Sequence, residues 1–143
     1  MTPHRSATLK HDAALLREGL SGLPSAFLGL ELHYTALDPF AVRITLEVDG
    51  ASVRWVLSRE MFVQALDGLA GDGDVAAWPV LHGAGAPDTL RLRLGPADGY
   101  AVLEADHDVV ATWLNVTLRL VPPGTEEAYI DWDGFLTDLA GDV

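Results

Sequence analysis

The segment FAVRITLEVDGASVRWVLS, residues 40–58, decides the fold class of this chain. Apolar residues occupy every second position in both of its halves: Val42, Ile44, Leu46 and Val48, then Val53, Trp55 and Leu57. A period of two is typical of a strand that buries one face. Asp49 and Gly50 stand between the halves and tolerate the two positive φ angles of a type I′ turn. The segment therefore predicts a β-hairpin.

A helix is predicted directly after this hairpin. The Ser58 hydroxyl can accept a hydrogen bond from the first turn of a helix, and Glu60 suits its positive end. One helical stripe then collects the apolar side chains Met61, Phe62, Ala65, Leu66 and Leu69. Gly68 and Gly71 mark the end of the helix, and we expect residues 71–74 to form its exit and a turn.

The second half of the chain repeats this order of elements. Residues 75–81 predict a strand, with Trp78 as a core anchor. Pro79 belongs at an edge or a bulge of that strand, because proline cannot donate to a ladder. The elements that follow are a loop over residues 82–87, a second hairpin over 89–105 and a second helix over 106–119. Pro122 and Pro123 end this helix, since they cannot continue it.

The order of the elements predicts an α+β fold with a mostly antiparallel sheet, because hairpins join the strands. A strand–strand–strand–helix unit occurs about twice, which suggests an internal structural duplication. We interpret residues 1–143 as a single domain, since this length is typical of one.

Both ends of the chain have weaker patterns. Residues 12–20 allow either a weak helix or a strand, whereas residues 27–35 predict a strand. The C-terminal segment DWDGFLTDLAGDV, residues 131–143, predicts a short amphipathic helix. Its apolar side would consist of Trp132, Phe135, Leu136 and Leu139.

The composition limits the classes of function. A net charge of −12, from 21 acidic and 9 basic residues, disfavours nucleic-acid binding, since phosphate neutralisation supplies most of that affinity. The absence of cysteine excludes disulfides, thiolate metal sites and cysteine nucleophiles. No apolar run is long enough for a membrane span, and no signal peptide is recognisable, so we expect a cytoplasmic protein.

Candidate catalytic residues are few, and each has a structural alternative. Asp106, His107 and Asp108 could form a metal corner, but acidic residues also gather at helix N-termini. Asp131 and Asp133 could act as the carboxylate pair of a small-molecule binder or hydrolase, or as a cap beside a core tryptophan. The common nucleotide, serine-hydrolase and HExxH motifs are absent. We therefore expect no enzymatic activity, no metal and no cofactor.

Four motifs give the sequence its strongest resemblance. They read DPFAV from Asp38, WVLSR from Trp55, GDGDVAAWP from Gly71 and VPPGTE from Val121. In this order and spacing, over about residues 30–140, they resemble the SsgA-like proteins, the sporulation and cell-division proteins of filamentous actinomycetes. Leu57 stands where that family usually has Phe, and Met61 where Leu is usual. The motifs do not indicate which paralogue this is.

The resemblance implies a non-enzymatic interaction protein located at division septa. It would help to position or promote the assembly of FtsZ and the septum machinery, and its partners would be FtsZ and/or other SsgA-like division proteins. The resemblance also implies a homotrimer with a strongly curved sheet and packed helices, similar to the Whirly and mitochondrial guide-RNA-binding proteins. In the divergent first thirty residues, it implies a strand instead of the weak helix. Single-stranded nucleic-acid binding, the activity of the Whirly-like proteins, remains the alternative function, which the acidic charge disfavours.

Ten motif positions are candidate site residues, and we expect them to serve the backbone and the core more than a partner. They are Asp38, Pro39, Trp55, Gly73, Asp74, Trp78, Pro79, Pro122, Pro123 and Gly124. The sequence does not identify the residues that bind a partner, although its 49% apolar content suggests that some apolar surface is shared with another chain.

Overall fold

The computed structural model of the chain describes residues 5–16 and 24–130. The strands are β1 Ser6–Leu16, β2 Pro24–Thr35, β3 Ala41–Val48, β4 Ala51–Ser58, β5 Ala70–Asp72, β6 Val75–Val80, β7 Thr89–Leu94 and β8 Ala101–Asp106. The helices are α1 Arg59–Ala65, α2 His107–Leu120 and a 3-10 helix, Glu126–Tyr129. The strands form one curled antiparallel sheet, which agrees with the predicted α+β class.

The sheet has the order β4-β3-β2-β1-β8-β7-β6-β5, so β4 and β5 are its two edges. Neighbouring strands pair antiparallel throughout the described part. The two halves meet where Ala14 of β1 pairs with Glu104 and Leu15 pairs with Leu103 of β8. Each helix follows four strands instead of the three expected from the sequence. The internal duplication and the likeness to Whirly proteins stay predictions.

The hairpin over residues 40–58 is present as predicted. Val48 pairs with Ala51, and the turn residues Asp49 and Gly50 have φ angles of 50° and 80°, as a type I′ turn requires. One face of the sheet and the two helices enclose the core. Its most deeply buried large side chains include Leu32, Tyr34, Val42, Ile44, Phe62, Leu90, Leu103, Val110 and Leu114.

The helical interpretation of the N-terminal region is wrong for the residues that the structure describes. Ser6–Leu16 is the long strand β1, which pairs with β2 along its whole length. Apolar residues lie at alternate positions on the face of β1 that meets the core: Ala7, Leu9, Ala13 and Leu15. Because β2 on one side and β8 on the other supply hydrogen-bond partners, the strand pairing outweighs the weak helical pattern of residues 12–16.

Helix α1 begins where predicted and ends earlier. The Ser58 hydroxyl accepts a hydrogen bond from the N–H of Met61 at 3.1 Å and caps the helix. The helix ends at Ala65, and Leu69 is 78% exposed, so the predicted apolar stripe is one turn too long.

Gly71 and Asp72 belong to the short strand β5 and not to a helix exit, which corrects the prediction for residues 71–74. A Cβ atom on Gly71 would lie 3.0 Å from the carbonyl oxygen of Val75, so the close approach of β5 and β6 favours glycine there. Gly73 and Asp74 form the turn between these strands, and Gly73 has a φ of 60°.

Trp78 is only half-buried, so its predicted role as a core anchor is wrong. Strand β5 ends where Ala70 pairs with Ala77, and from Trp78 onward β6 has only β7 beside it. Pro79 lies in this one-sided part of β6, as expected for a residue without an N–H group.

Helix α2 lies close to its predicted position, with Asp106 as its cap. It buries a narrower stripe than the sequence suggests, consisting of Val110, Trp113, Leu114 and Thr117. The predicted C-terminal helix falls on residues 131–143, outside the described residues.

Candidate interaction site

Arg59 is the one charged side chain that is buried in the described part of the chain, with 3% of its surface exposed. It lies at the start of α1, and its Nη1 donates to the carbonyl oxygens of Thr117 at 2.9 Å and Val121 at 2.8 Å. Its Nη2 donates to Glu126 Oε1 at 2.9 Å. Arg59 therefore joins the start of α1 to the end of α2 and to the turn that follows it.

The position of Arg59 follows from the needs of a helix end. The last carbonyl groups of a helix lack intrahelical donors and carry the negative end of the helix dipole. A guanidinium group supplies several N–H donors and a positive charge at this point. The burial of Arg59 is tolerated because two carbonyls and a carboxylate accept its hydrogen bonds.

Glu126 fixes the turn that follows α2. Its Oε1 accepts from Arg59, and its Oε2 accepts from the backbone N–H of Gly124 at 2.9 Å. The hydrogen bond from its own backbone N–H, followed by those from Arg59 and Gly124, holds the pKa of Glu126 below its ordinary value. The turn is tightened further because Thr125 donates to the carbonyl oxygen of Pro122 through both its hydroxyl and its N–H.

Tyr34 connects this arrangement to the turn between β2 and β3. The guanidinium carbon of Arg59 lies 4.8 Å from the centre of the Tyr34 ring, within the range of a cation–π contact. The Tyr34 hydroxyl donates to the carbonyl oxygen of Pro39 at 2.9 Å. Burial raises the pKa of Tyr34 to about 12, although the nearby charge of Arg59 opposes this effect. We call Tyr34, Pro39, Arg59, Gly124 and Glu126 the Arg59 network.

An apolar groove of about 640 Å³ borders the Arg59 network. Its apolar walls are Phe40, Val63, Leu118 and Pro123. The ring of Phe40 is 49% exposed beside it, and Glu60 contributes a carboxylate. Such a surface can receive an apolar side chain from another protein, since burying apolar area is favourable while the polar groups beneath already have partners. We call it the Phe40 groove.

The structure brings some of the ten candidate positions together and separates the others. Asp38 and Pro39 lie in the β2–β3 turn. Pro122, Pro123 and Gly124 lie in the turn after α2. Both turns belong to or adjoin the Arg59 network. Asp38 Oδ2 is 3.6 Å from Arg43 Nη2 at the surface. The other five positions, Trp55, Gly73, Asp74, Trp78 and Pro79, lie in β4, the β5–β6 turn and β6.

Tyr34, Arg59 and Glu126 were not among the site residues predicted from the sequence. Arg59 and Glu126 are part of the quoted motifs, where they are the charged residues among apolar, glycine and proline neighbours. That contrast was the available signal. Tyr34 carried no such signal, because its pattern is that of any inward residue of a strand.

The metal corner proposed at Asp106, His107 and Asp108 is not formed. Asp106 Oδ1 caps α2 through the N–H of Val109 at 3.0 Å, and His107 Nε2 donates to the carbonyl oxygen of Leu66 at 2.9 Å. Among residues 5–16 and 24–130, no group of three potential ligands is placed to hold a metal ion. Asp131 and Asp133, the other candidate pair, lie outside the described residues.

Basic residues in the described part are often paired with acids. Arg59 contacts Glu126, Arg91 Nε donates to Glu104 at 2.9 Å, and Arg43 lies near Asp38. This pairing and the net charge of −12 give no support to the nucleic-acid alternative. Within the described residues, no helix is both long and apolar enough to cross a membrane.

Comparison with known proteins identifies relatives across most of the chain. Residues 28–126 match the family described as "Streptomyces sporulation and cell division protein, SsgA". A sporulation-specific cell division protein SsgB from Kineococcus radiotolerans is 34% identical over 137 residues, covering 96% of this chain and 82% of the relative. Another SsgB, from Streptomyces coelicolor, is 34% identical over 110 residues, covering 76% of this chain and 78% of the relative.

Solved structures agree with this assignment. The crystal structure of an SsgA-like sporulation-specific cell division protein from Thermobifida fusca superposes with a TM-score of 0.83 at 28% identity, covering 96% of this chain and 98% of that one. A structure of SsgB, studied for longitudinal cell division during sporulation of Streptomyces coelicolor, gives a TM-score of 0.78 at 27% identity, covering 89% and 97%. The fold, the motifs and these relatives show that the chain belongs to the SsgA family of sporulation and cell division proteins.

Proposed function

We propose that this protein is a non-enzymatic docking protein of sporulation-specific cell division. The observation that carries the proposal is that motifs from three distant parts of the chain meet around one apolar groove with a half-exposed Phe40. In this proposal the Arg59 network is architectural and keeps the walls of the Phe40 groove in place. The whole chain acts as a single domain in the cytoplasm and collects at division septa.

The proposed partners are FtsZ and other SsgA-like division proteins, as the family resemblance implies. The chain has a net charge of −12, so a partner that is also acidic must gain its binding energy from apolar contacts. The Phe40 groove supplies such a contact. A homotrimer would present three copies of it, and several weak contacts on one polymer give a much higher total affinity than one.

Co-sedimentation with assembled FtsZ tests the proposal. We expect the protein to be enriched in the pellet with FtsZ polymers, and Phe40→Ser to reduce this enrichment severalfold. Leu37→Ser is the matched control, because Leu37 lies in the same turn, is 60% exposed and does not line the groove. If the unmodified protein stays in the supernatant, direct binding to FtsZ polymers is wrong.

Light scattering tests the oligomeric state separately. A mass of three chains at micromolar concentration would support the multivalent mechanism. A mass of 15.3 kDa, that of one chain, would contradict it without affecting the docking role of the groove.

A further inference from the structure

Strand β4, Ala51–Ser58, is an edge strand whose outer side is free in the described part of the chain. It pairs with β3 over its full length and has no strand on its other side. The opposite edge of the sheet, β5, is only three residues long. Strand β4 is therefore the longer of the two terminal strands of the sheet.

The hairpin geometry identifies the backbone groups that β4 presents to solvent. A two-residue turn joins Val48 to Ala51, which makes these two residues a hydrogen-bonded pair. Hydrogen-bonded and non-hydrogen-bonded pairs alternate along an antiparallel ladder. The N–H and C=O groups of Ser52, Arg54 and Val56 therefore point away from β3. Their spacing is that of a strand, so the backbone that fits them is another extended segment.

Strand β4 lacks two of the features that usually protect an edge from pairing, a bulge and a proline. Its register with β3 is regular, without a bulge, and it contains no proline. Two of its apolar side chains are accessible, with Val53 44% and Val56 63% exposed. Natural sheets normally block such an edge with charges, bulges or proline. Strand β4 carries a single charge, Arg54, so it is only weakly blocked and is suited to bind another strand.

A second apolar groove, of about 400 Å³, lies on the inner side of β4. Val53 and Trp55 form one wall, and Pro96 and Tyr100 of the β7–β8 loop contribute to the other. Side chains alternate between the two faces of a strand. A segment paired with β4 would therefore place every second side chain on the side of this groove, which we call the Trp55 groove.

Arg54 indicates which charge a segment paired with β4 would need on the face that points away from the Trp55 groove. It is the one charged residue in β4, it is exposed, and it makes no ion pair within the described residues. The residue of a paired strand directly opposite Arg54 would lie on the same face of the sheet. An acidic side chain is favoured at that place, and a basic one is disfavoured.

We propose that β4 binds an extended segment of a partner protein by strand addition, with alternate apolar side chains entering the Trp55 groove and an acidic residue facing Arg54. This site is separate from the Phe40 groove, which lies at the Ser58 end of β4. It does not depend on FtsZ being the partner, so it stands or fails independently of the co-sedimentation experiment.

Amide hydrogen exchange, followed by NMR on the full chain, tests the proposal. The probe is a short synthetic peptide of alternating threonine and valine with a glutamate at its centre. When the peptide is bound to about 90% of the protein molecules, only one tenth of the protein is free. Hydrogen exchange at the outward amides of β4 should then slow about tenfold. We expect this at Ser52, Arg54 and Val56. The inward amides of Val53 and Trp55 already pair with β3 and should change little.

Three controls make the result decisive. A peptide with lysine in place of the central glutamate should bind about fivefold more weakly, and Arg54→Glu should reverse that preference. A peptide methylated on the backbone nitrogens of its pairing edge should give no protection, which tests strand addition without altering the protein. The last control stays valid even if a protein variant folds poorly.

Two results would overturn the proposal. One is exchange that the glutamate peptide leaves unchanged or slows equally at inward and outward amides. The other is protection of the outward amides that grows with protein concentration when no peptide is present. That result would show that a second copy of the chain occupies the edge.

Discussion

The two ends of β4 lead to contrasting regions. At the Ser58 end, Arg59 and Tyr34 are buried, and the polar groups of the Arg59 network have partners within the chain. Along the strand toward Ala51, the backbone groups of one side and the side chains of Val53 and Val56 are accessible to solvent. A network whose hydrogen bonds are satisfied within the chain has few free donors or acceptors for a partner, whereas an unpaired strand edge has a row of them. We therefore infer that the first region keeps the fold and the second is available for binding.

Replacing an arginine in each region should give the largest contrast. Arg59→Ala removes the guanidinium donor from Glu126 Oε1 and from the carbonyls of Thr117 and Val121, and breaking a buried pair in this way costs about 3–5 kcal/mol of unfolding free energy. Arg54→Ala, on exposed β4, should change the free energy by less than about 0.5 kcal/mol. Urea unfolding of both variants measures the difference. Equal losses would mean that the Arg59 network does not hold the fold.

The charge of Glu126 should contribute to stability in a pH-dependent way. Its pKa is lower in the folded chain than the unfolded value of roughly 4.3, so its contribution is present above that pH. The contribution is lost as the pH falls through the folded pKa. Glu126→Gln should lower the unfolding free energy by about 1–2 kcal/mol near neutral pH and less in acid.

Glu127→Gln is the control for this pH profile, because Glu127 is an exposed neighbour in the same 3-10 helix. It should keep the acid dependence of the original chain. An identical acid dependence in Glu126→Gln and the original chain would contradict the role given to Glu126.

Removing the Tyr34 hydroxyl should have a moderate effect. Tyr34→Phe keeps the ring beside Arg59 but loses the hydrogen bond to Pro39, which is worth about 1 kcal/mol. Tyr100→Phe removes a hydroxyl from a ring that is 40% exposed and should cost close to nothing. Thermal unfolding measures the stability of both variants. If Tyr100→Phe lost as much stability as Tyr34→Phe, the buried hydrogen bond of Tyr34 would have no special role.

Proline substitutions within β4 test which of its N–H groups point toward β3 and which point to solvent. The smallest expected loss of stability belongs to a proline at an outward position. Val56→Pro removes an outward N–H and should lower the unfolding free energy by less than about 1 kcal/mol, since edge strands tolerate proline there. Trp55→Pro removes an inward N–H that pairs with Ile44 and should be clearly worse. The melting temperatures of the two variants test this expectation. A lower melting temperature for Val56→Pro than for Trp55→Pro would mean that the directions assigned to the N–H groups of β4 are wrong.

The sequence was sufficient to predict the elements that depend on neighbouring residues. The period-two pattern and the turn residues Asp49 and Gly50 specify the hairpin, and Ser58 and Asp106 cap the helices where expected. Strand β1 was ambiguous because its pairing partners lie far along the chain, in β2 and β8. For the same reason, the sequence predicted strand β4 but not its place at an edge.

The candidate site could be predicted only in part. The motifs identified the family and marked Pro39 and Gly124, because a turn needs such residues whatever surrounds it. They did not show that Arg59 reaches carbonyl groups 58 and 62 residues away, since that contact depends on how α1 and α2 pack. Trp78 was placed in the core because of its type, but it lies in the part of β6 beyond the end of β5 and is only partly buried.

Hydrogen exchange of the protein alone tests the division between the two regions most directly. We expect the amide of Val121, which donates to the Thr117 carbonyl beside Arg59, to exchange only through global unfolding. We expect the amides of Ser52, Arg54 and Val56 to exchange orders of magnitude faster than those of Val53 and Trp55. Uniformly slow exchange along β4, or fast exchange at Val121, would contradict this division.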